Sequence, residues 1–436
     1  MKKLFPVLLA GMTYFPCTGQ SVQILEERSI SSTIDFPLNE AHFIIDPQDP
    51  KHFLVAAILS KTWKKGEAAD WRKGQAADSH IILLQSWDSG ATWQEKHFDT
   101  NNIASGYDPW LAMNNDGTVL LTSLNTFTDQ RFLHFLVFIS KDGGKTWTDT
   151  PINLGTSHDR QSIVVHPVRE KFIVVSTNAN RNYDRKRMRG VNITTFTRDG
   201  RFIESNWHGI FNVDKINGTP LITSENELII PIIDYSSRPG GVVKNKRHWI
   251  VRSNDLGRTL SEPIMISENT SFPHLLIDTL GTKADILYQL HEKEGARKFL
   301  GYLSSSSTDF GYTWDKKVVI TPYQGDDAYM RNGDWILNNK GVIGVFWFDR
   351  GNMDSKSHNF YFAYSADQGK SFSEPTKISS KPSTPDGEKY MNDNRWPAGG
   401  DYFGMATTPN GDFKVVWSDH RDDLAQLYLA TIRVIN

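Results

Sequence analysis

A short pattern, Ser-x-Asp-x-Gly-x-Thr-Trp, recurs along this chain and constrains its fold more than any other feature. The intervals between the aspartates of successive copies are 54, 57, 56, 54 and 58 residues. So regular a period indicates a repeat architecture, in which each unit is one supersecondary element stacked against its neighbours. The copies, called boxes below, are three complete and three with replacements, and they begin at Ser86, Ser140, Thr197, Ser253, Ser307 and Ser365.

The residue types of the box predict a structural role. Ser and Asp side chains accept hydrogen bonds from backbone N–H groups in a tight turn, and Gly tolerates a backbone conformation that other residues resist. The closing aromatic residue packs into the sheet. We therefore predict that the box aspartates stabilise the fold and take no part in catalysis. They are Asp88, Asp142, Asp199, Asp255, Asp309 and Asp367.

Each box is preceded by two short apolar runs that flank a turn rich in Asn and Gly, which is typical of a β-hairpin. Together with the strands around the box, each repeat predicts a four-stranded antiparallel sheet. One such sheet cannot bury both of its faces, so we expect the sheets to stack radially into an all-β propeller. No break in composition indicates a second domain, and residues 20–436 are predicted to form a single β-propeller domain.

The count of first strands favours seven blades, with six as the alternative. The last repeat, from Tyr402 to Ile435, has room for only three strands and carries no box. We expect the segment Val22 to Ser32 to supply the missing fourth strand and so to close the ring. The seven first strands begin near Glu40, Asp108, Arg160, Gly218, Phe272, Asn332 and Tyr402.

The N-terminus, residues 1–19, is predicted to be a signal peptide. Lys2 and Lys3 precede an apolar run from Leu4 to Phe15, and small residues follow up to Gly19. The run is too short to span a bilayer, so no membrane span is expected. A mature chain that begins after Gly19 contains no cysteine and is expected in the periplasm or outside a bacterial cell. Lipid anchoring at Cys17 is the less favoured alternative.

The charge balance argues against nucleic acid as a partner. The formal net charge is −2, so the chain has no surplus of basic residues for a phosphate backbone. Carbohydrate is the partner that we expect, with no cofactor, no bound metal and a monomeric state.

Further motifs resemble a group of secreted bacterial proteins in the sialidase superfamily, where the box is known as the Asp-box or BNR repeat. This resemblance covers nearly all of the mature chain and implies an exo-α-sialidase-like glycosidase. Sialidases hold the substrate carboxylate with three arginines, use a Tyr paired with a Glu as nucleophile, and use an Asp as acid/base. Besides the boxes, the resemblance rests on Asn39-Glu40-Ala41-His42, Phe346-Trp347-Phe348-Asp349-Arg350, Gly400-Asp401-Tyr402-Phe403-Gly404 and Trp417-Ser418-Asp419-His420-Arg421.

One position of the repeat collects polar residues that a propeller would bring together, because the first strand of each blade lines the central axis. Paired carboxylates at the mouth of that axis suit acid/base work on a sugar. We predict Tyr402 as the nucleophile or base with Glu40 as its partner, and Asp108 as the acid/base. The aligned position holds Glu40, Asp108, Arg160, Gly218, Phe272, Asn332 and Tyr402.

A second group of residues is predicted to bind the substrate. A guanidinium suits an anionic group such as a carboxylate or sulfate. Arg350 and Arg421 follow aspartates at the ends of second strands, so the alternative is that they pair with those aspartates and pin neighbouring blades. The predicted substrate-binding residues are Arg160, Arg350, Arg421, Asn332 and Asp401.

Three functions remain open on the sequence. The first is a sialidase-like glycoside hydrolase that acts on an acidic glycan. The second is a polysaccharide lyase on a uronate-containing polymer, in which His42, His158 or His274 takes a proton beside the uronate. The third is a non-catalytic propeller that binds glycans. The product distinguishes them, since only the hydrolase releases a saturated sugar and only the lyase leaves an unsaturated one.

Overall fold

The computed structural model of the chain describes residues 21–60, 79–98, 102–128, 133–156, 158–178, 190–209, 213–216, 219–235, 246–268, 271–278, 286–294, 299–321, 330–349, 357–385, 399–422 and 424–435. Within these ranges the regular structure consists of β-strands. The described chain holds no helix with the length and apolar character needed to cross a bilayer. The predicted signal peptide and Cys17 lie outside the described residues.

The chain begins with β1 (Ser21–Ser29), which belongs to the last sheet of the ring. Blade 1 contains β2 (Leu38–Ile45), β3 (Phe53–Ser60), β4 (Ser79–Ser86) and β5 (Gln94–His97). Blade 2 contains β6 (Ile103–Met113), β7 (Val119–Phe127), β8 (His134–Ser140) and β9 (Ile152–Thr156). Blade 3 contains β10 (His158–Val165), β11 (Phe172–Asn178), β12 (Val191–Phe196) and β13 (Phe202–His208). Blade 4 contains β14 (Val213–Ile216), β15 (Leu221–Ile222), β16 (Leu228–Tyr235), β17 (Lys246–Ser253) and β18 (Ile264–Glu268).

Blade 5 contains β19 (Ser271–Asp278), β20 (Ile286–Glu294), β21 (Phe299–Ser307) and β22 (Val318–Val319). Blade 6 contains β23 (Met330–Leu337), β24 (Ile343–Asp349), β25 (Asn359–Ser365) and β26 (Thr376–Lys377). Blade 7 contains β27 (Gly404–Thr407), β28 (Phe413–Asp422), β29 (Leu424–Ile435) and β1. The described strands thus form seven antiparallel sheets, and the prediction of an all-β propeller with four-stranded antiparallel blades is confirmed.

The sheets form a closed ring, because strands of each blade contact the first strand of the next one. Blade 1 contacts blade 2 through β2 and β6, and the series continues around the axis until β27 and β28 contact β2. The N-terminal strand completes the last blade: β1 pairs antiparallel with β29, from Ser21 opposite Ile435 to Ser29 opposite Tyr428. The predicted closure of the ring by the segment after residue 20 is therefore confirmed.

The second strands are buried on both faces, which explains their unbroken apolar runs. In β3, Phe53, Val55 and Ala57 pack towards blade 7, where they meet side chains such as Val416. The alternate residues of the same strand pack towards blade 2, where they meet Leu111 and its neighbours. Since side chains of a strand alternate between faces, each inner strand serves two interfaces of the ring.

The boxes make the turns that their composition predicts. In the first box, the hydroxyl of Ser86 donates to Asp88 Oδ1 at 2.8 Å and accepts from the N–H of Gly90 at 2.7 Å. Asp88 in turn accepts from the backbone and side chain of Thr92, and these hydrogen bonds lower its pKa to about 2. The same bonds recur in the boxes that begin at Ser140, Ser253, Ser307 and Ser365.

Candidate functional site

The first strands of five blades carry the same irregularity at the same height. In each of them one extra residue is inserted opposite the second strand, which is a β-bulge. Bulges re-aim side chains and are common beside active sites. The shifts lie between Asn39 and His42, Tyr107 and Trp110, Asp159 and Ser162, Ser271 and His274, and Arg331 and Asp334. The position aligned from the sequence therefore falls inside the bulge in all five blades.

Three bulge residues adopt a left-handed backbone although none of them is glycine. The φ angles are +53° for Glu40, +50° for Asp108 and +52° for Arg160. A conformation of this kind costs of the order of 1–3 kcal/mol for a residue with a Cβ, and it persists where the surrounding structure enforces it. Blades 1, 2 and 3 thus use backbone strain to direct two carboxyl groups and a guanidinium to one place.

The carboxyl groups of Glu40 and Asp108 form a hydrogen-bonded pair. Burial raises the pKa of Asp108 well above its usual range, and the negative charges of Glu40 and Asp159 raise it further. Arg160 acts in the opposite direction on the same pKa. Two carboxylates in contact cannot both be charged in a buried site, so the pair retains a proton at neutral pH.

A second pair links blade 3 to the start of blade 7. Arg160 Nη2 donates to Asp401 Oδ2 at 2.6 Å, and the N–H of Arg160 is held by Asp159 Oδ1 at 2.8 Å. The N–H of Asp401 donates to Glu40 Oε1 at 3.0 Å. The ion pair and the carboxyl pair are therefore parts of one network that crosses the axis of the propeller.

Tyr402 lies within the same network. Its hydroxyl donates to the carbonyl oxygen of Pro109 at 3.1 Å. Burial raises its pKa well above the usual range, and the charges of Glu40, Asp108 and Asp401 raise it further. The resting phenol is therefore neutral, and its proton can leave only if a nearby group accepts it.

Gly400 makes room for this arrangement. Its φ angle is +101°, and a Cβ at this position would lie 2.1 Å from Glu40 Cγ. Any side chain at residue 400 would collide with the carboxyl pair. The Gly-Asp-Tyr sequence is thus required by both backbone conformation and space.

The structure brings five of the predicted site residues together and separates another. Arg421 makes ion pairs with Glu27 Oε1 at 2.6 Å and with Asp419 Oδ2 at 2.7 Å, and its side chain is only 4% exposed. Its position fits the alternative of a residue that pins strands together. Arg350 and the side chain of Asn332 lie outside the described residues, as does Gly218. The residues that meet are Glu40, Asp108, Arg160, Asp401 and Tyr402.

The histidines considered for a lyase have different surroundings. His42 accepts a hydrogen bond from the N–H of Leu111 at Nδ1, and burial lowers its pKa to about 3. His158 uses both ring nitrogens, on Ser176 and on the carbonyl of Leu154. His274 lies 3.6 Å from a carboxylate oxygen of Asp334. In the part of the chain that the structure describes, no group of three His, Cys, Asp or Glu side chains could hold a metal ion.

Two residues of the site were missed by the sequence analysis. Asp159 acts on the pKa of Asp108, and Trp110 contacts Tyr402 edge to face with 5.6 Å between ring centroids. Both are immediate neighbours of aligned positions, one before Arg160 and the other two residues after Asp108. A bulge turns such neighbours towards the axis, but bulges leave no reliable signal in one sequence.

Comparison with solved structures finds matches at low identity. A protein of unknown function from Dyadobacter fermentans matches with a TM-score of 0.52 and 12% identity, over 95% of this chain and 99% of that chain. The Hadza microbial sialidase Hz136 has a TM-score of 0.48 at 12% identity, with 81% and 74% of the two chains covered. An α-L-arabinanase from Penicillium chrysogenum has a TM-score of 0.45 at 12% identity, with 75% and 92% covered. The first likeness supports the fold alone. No family model and no curated protein matches the chain.

Proposed function

We propose that this chain is a secreted, sialidase-like glycoside hydrolase whose active site is the axial network. The observation that carries the proposal is that Tyr402, Glu40 and Asp108 share one buried, charge-coupled cluster. These residues come from blades 1 and 2 and from the segment before blade 7. A glycosidase needs a proton donor for the leaving oxygen and a nucleophile for the anomeric carbon, and the cluster offers both.

Asp108 is the proposed acid. Its raised pKa keeps the carboxyl group protonated at neutral pH, which is the state that a general acid requires. In the first step the glycosidic C–O bond breaks and the Asp108 proton moves to the leaving oxygen. In the second step the Asp108 carboxylate takes a proton from the attacking water.

Tyr402 is the proposed nucleophile, with Glu40 as its base. Apart from burial, Glu40 has the largest effect on the pKa of Tyr402. As the phenol oxygen bonds to the anomeric carbon, its proton passes to Glu40, and the proton returns when water releases the sugar. A neutral phenol paired with a carboxylate avoids placing a second full negative charge beside the carboxyl pair.

Contact between the two carboxyl groups argues for this assignment over direct hydrolysis. Inverting glycosidases hold their two carboxyl groups about 6.5–9.5 Å apart so that a water fits between them. The hydrogen bond between Glu40 and Asp108 leaves no such space. We therefore propose a covalent intermediate on Tyr402 and retention of configuration.

The proposed substrate is an acidic glycan, and Arg160 is the residue proposed to bind its acidic group. Arg160 already pairs with Asp401, so a substrate carboxylate would share or replace that partner. The lyase alternative is less well supported, because His42 has its Nδ1 lone pair occupied and a pKa of about 3. A base needs a free lone pair and a pKa near the working pH.

The experiment is a screen of the purified protein against acidic polysaccharides and sialosides, followed by kinetics of Tyr402→Phe. We expect a released saturated monosaccharide and a loss of turnover of at least about 100-fold in the variant. Tyr312→Phe is the matched control, because this tyrosine is 64% exposed in the box of blade 5. An unsaturated product would support the lyase instead. Full activity of Tyr402→Phe would remove the proposed nucleophile.

A further inference from the structure

Three aromatic rings from separate parts of the propeller interlock beside the carboxyl pair. The rings of His42 in β2 and Trp110 in β6 lie 4.1 Å apart between centroids, with an interplanar angle of 37°. Trp110 meets Tyr402 edge to face, at 5.6 Å and 61°. Contacts of this geometry contribute about 0.5–1.5 kcal/mol each beyond the area that they bury. The Tyr402 ring is therefore supported by a row of two further rings.

His42 is itself fixed in orientation. Its Nδ1 accepts the N–H of Leu111 at 3.2 Å, so the ring proton resides on Nε2. Because burial lowers its pKa to about 3, the ring stays neutral over the whole range in which the protein would work. The bulge places this histidine two residues beyond Glu40, so the row begins on the same strand as the carboxyl pair.

A cavity adjoins the row. It has a volume of about 340 Å³ and is lined by His42, Trp110, Ile163 and Met405 among others. Since open space adjoins the indole, truncation of Trp110 would not be compensated by neighbouring side chains that already fill the volume. The Tyr402 ring would then lose the surface against which it is packed, while its hydroxyl would keep only the Pro109 carbonyl.

We propose that Trp110, held by His42, is a positioning residue that fixes the Tyr402 phenol against the Glu40–Asp108 pair. This inference rests on the proposed function, in which Tyr402 is the nucleophile. Trp110 touches Tyr402 and takes no proton or bond itself. Displacement of a reacting group by about 1 Å can lower the rate by about 100-fold, so the support matters for turnover more than for substrate binding.

The test is the kinetics of Trp110→Ala and Trp110→Phe. We expect Trp110→Ala to lower kcat by about 100-fold with KM changed by less than about threefold, because ground-state binding is retained. Trp110→Phe keeps an edge-to-face partner and should recover most of kcat. Trp207→Ala is the matched control, since Trp207 is 49% exposed on the outer strand of blade 3.

A second readout follows the phenol directly. Fluorotyrosine placed at position 402 should give one narrow fluorine NMR signal in the parent and in Trp110→Phe, and exchange broadening in Trp110→Ala. If Trp110→Ala does not fold, His42→Ala removes the support from the far side of the indole and should give the same broadening. Normal kcat and a narrow signal in these variants, beside an inactive Tyr402→Phe, would overturn this inference alone. An active Tyr402→Phe would overturn the proposed function and the inference with it.

Discussion

Arg421 offers the sharpest test of how the structure divides its arginines. The side chain is 4% exposed, and its two partners, Asp419 and Glu27, are 0% and 10% exposed. Glu27 belongs to β1, so this ion pair ties the N-terminal strand to blade 7. The guanidinium also stacks on the ring of Tyr428 at 4.2 Å. Arg421→Ala removes all of these contacts at once.

The expected loss of stability follows from burial. Removal of one partner from a buried ion pair costs about 3–5 kcal/mol, because the remaining charge has no compensation. Loss of the cation–π contact adds about 1 kcal/mol. We therefore expect the free energy of unfolding to fall by at least about 4 kcal/mol. With a urea m value of about 3 kcal/mol/M, the unfolding midpoint should fall by more than about 1 M.

Urea unfolding monitored by tryptophan fluorescence measures this change. Arg201→Ala is the control, because Arg201 pairs with Asp199 while its side chain is 75% exposed, and it should cost less than about 1 kcal/mol. The folded fraction of Arg421→Ala should keep the KM of the parent. A midpoint within about 0.3 M of the parent, together with a large rise in KM, would show that Arg421 binds substrate and that the structural argument is wrong.

Three further predictions concern the network and a box. Asp108→Asn should lower kcat by at least about 100-fold; because the raised pKa makes activity present below it and lost above it, the variant should also lack the alkaline limb of the pH–kcat profile. Gly400→Ala should cost about 2–4 kcal/mol in urea unfolding, since its Cβ would meet Glu40, whereas Gly341→Ala, with open space around it, should cost about 1 kcal/mol. Asp255→Ala should be destabilised near neutral pH, and the difference should shrink as pH falls from about 4 through the folded pKa of about 2; an unchanged gap in acid would contradict the role of its ionised form.

The repeat and its turns could be predicted from the sequence because they depend on neighbours within a few residues. The hydroxyl and carboxylate of a box bond to backbone groups at most four positions away, as they do from Ser86 to Thr92. A period that recurs six times then allows one solution for the sheets, which is a ring. The same alignment placed Glu40, Asp108 and Arg160 at one height without any coordinates.

The tertiary structure alone decided what those side chains do to one another. Arg421 and Arg160 follow similar local patterns, yet one is committed to a buried ion pair and the other faces the axis. The carboxyl pair, the contact of Trp110 with Tyr402 and the collision that requires Gly400 all join residues far apart in the chain. Burial and distance set charges and pKa values, and neither quantity is written in local sequence. The periodic sequence therefore determines the ring, and the closure of the ring determines the chemistry at its axis.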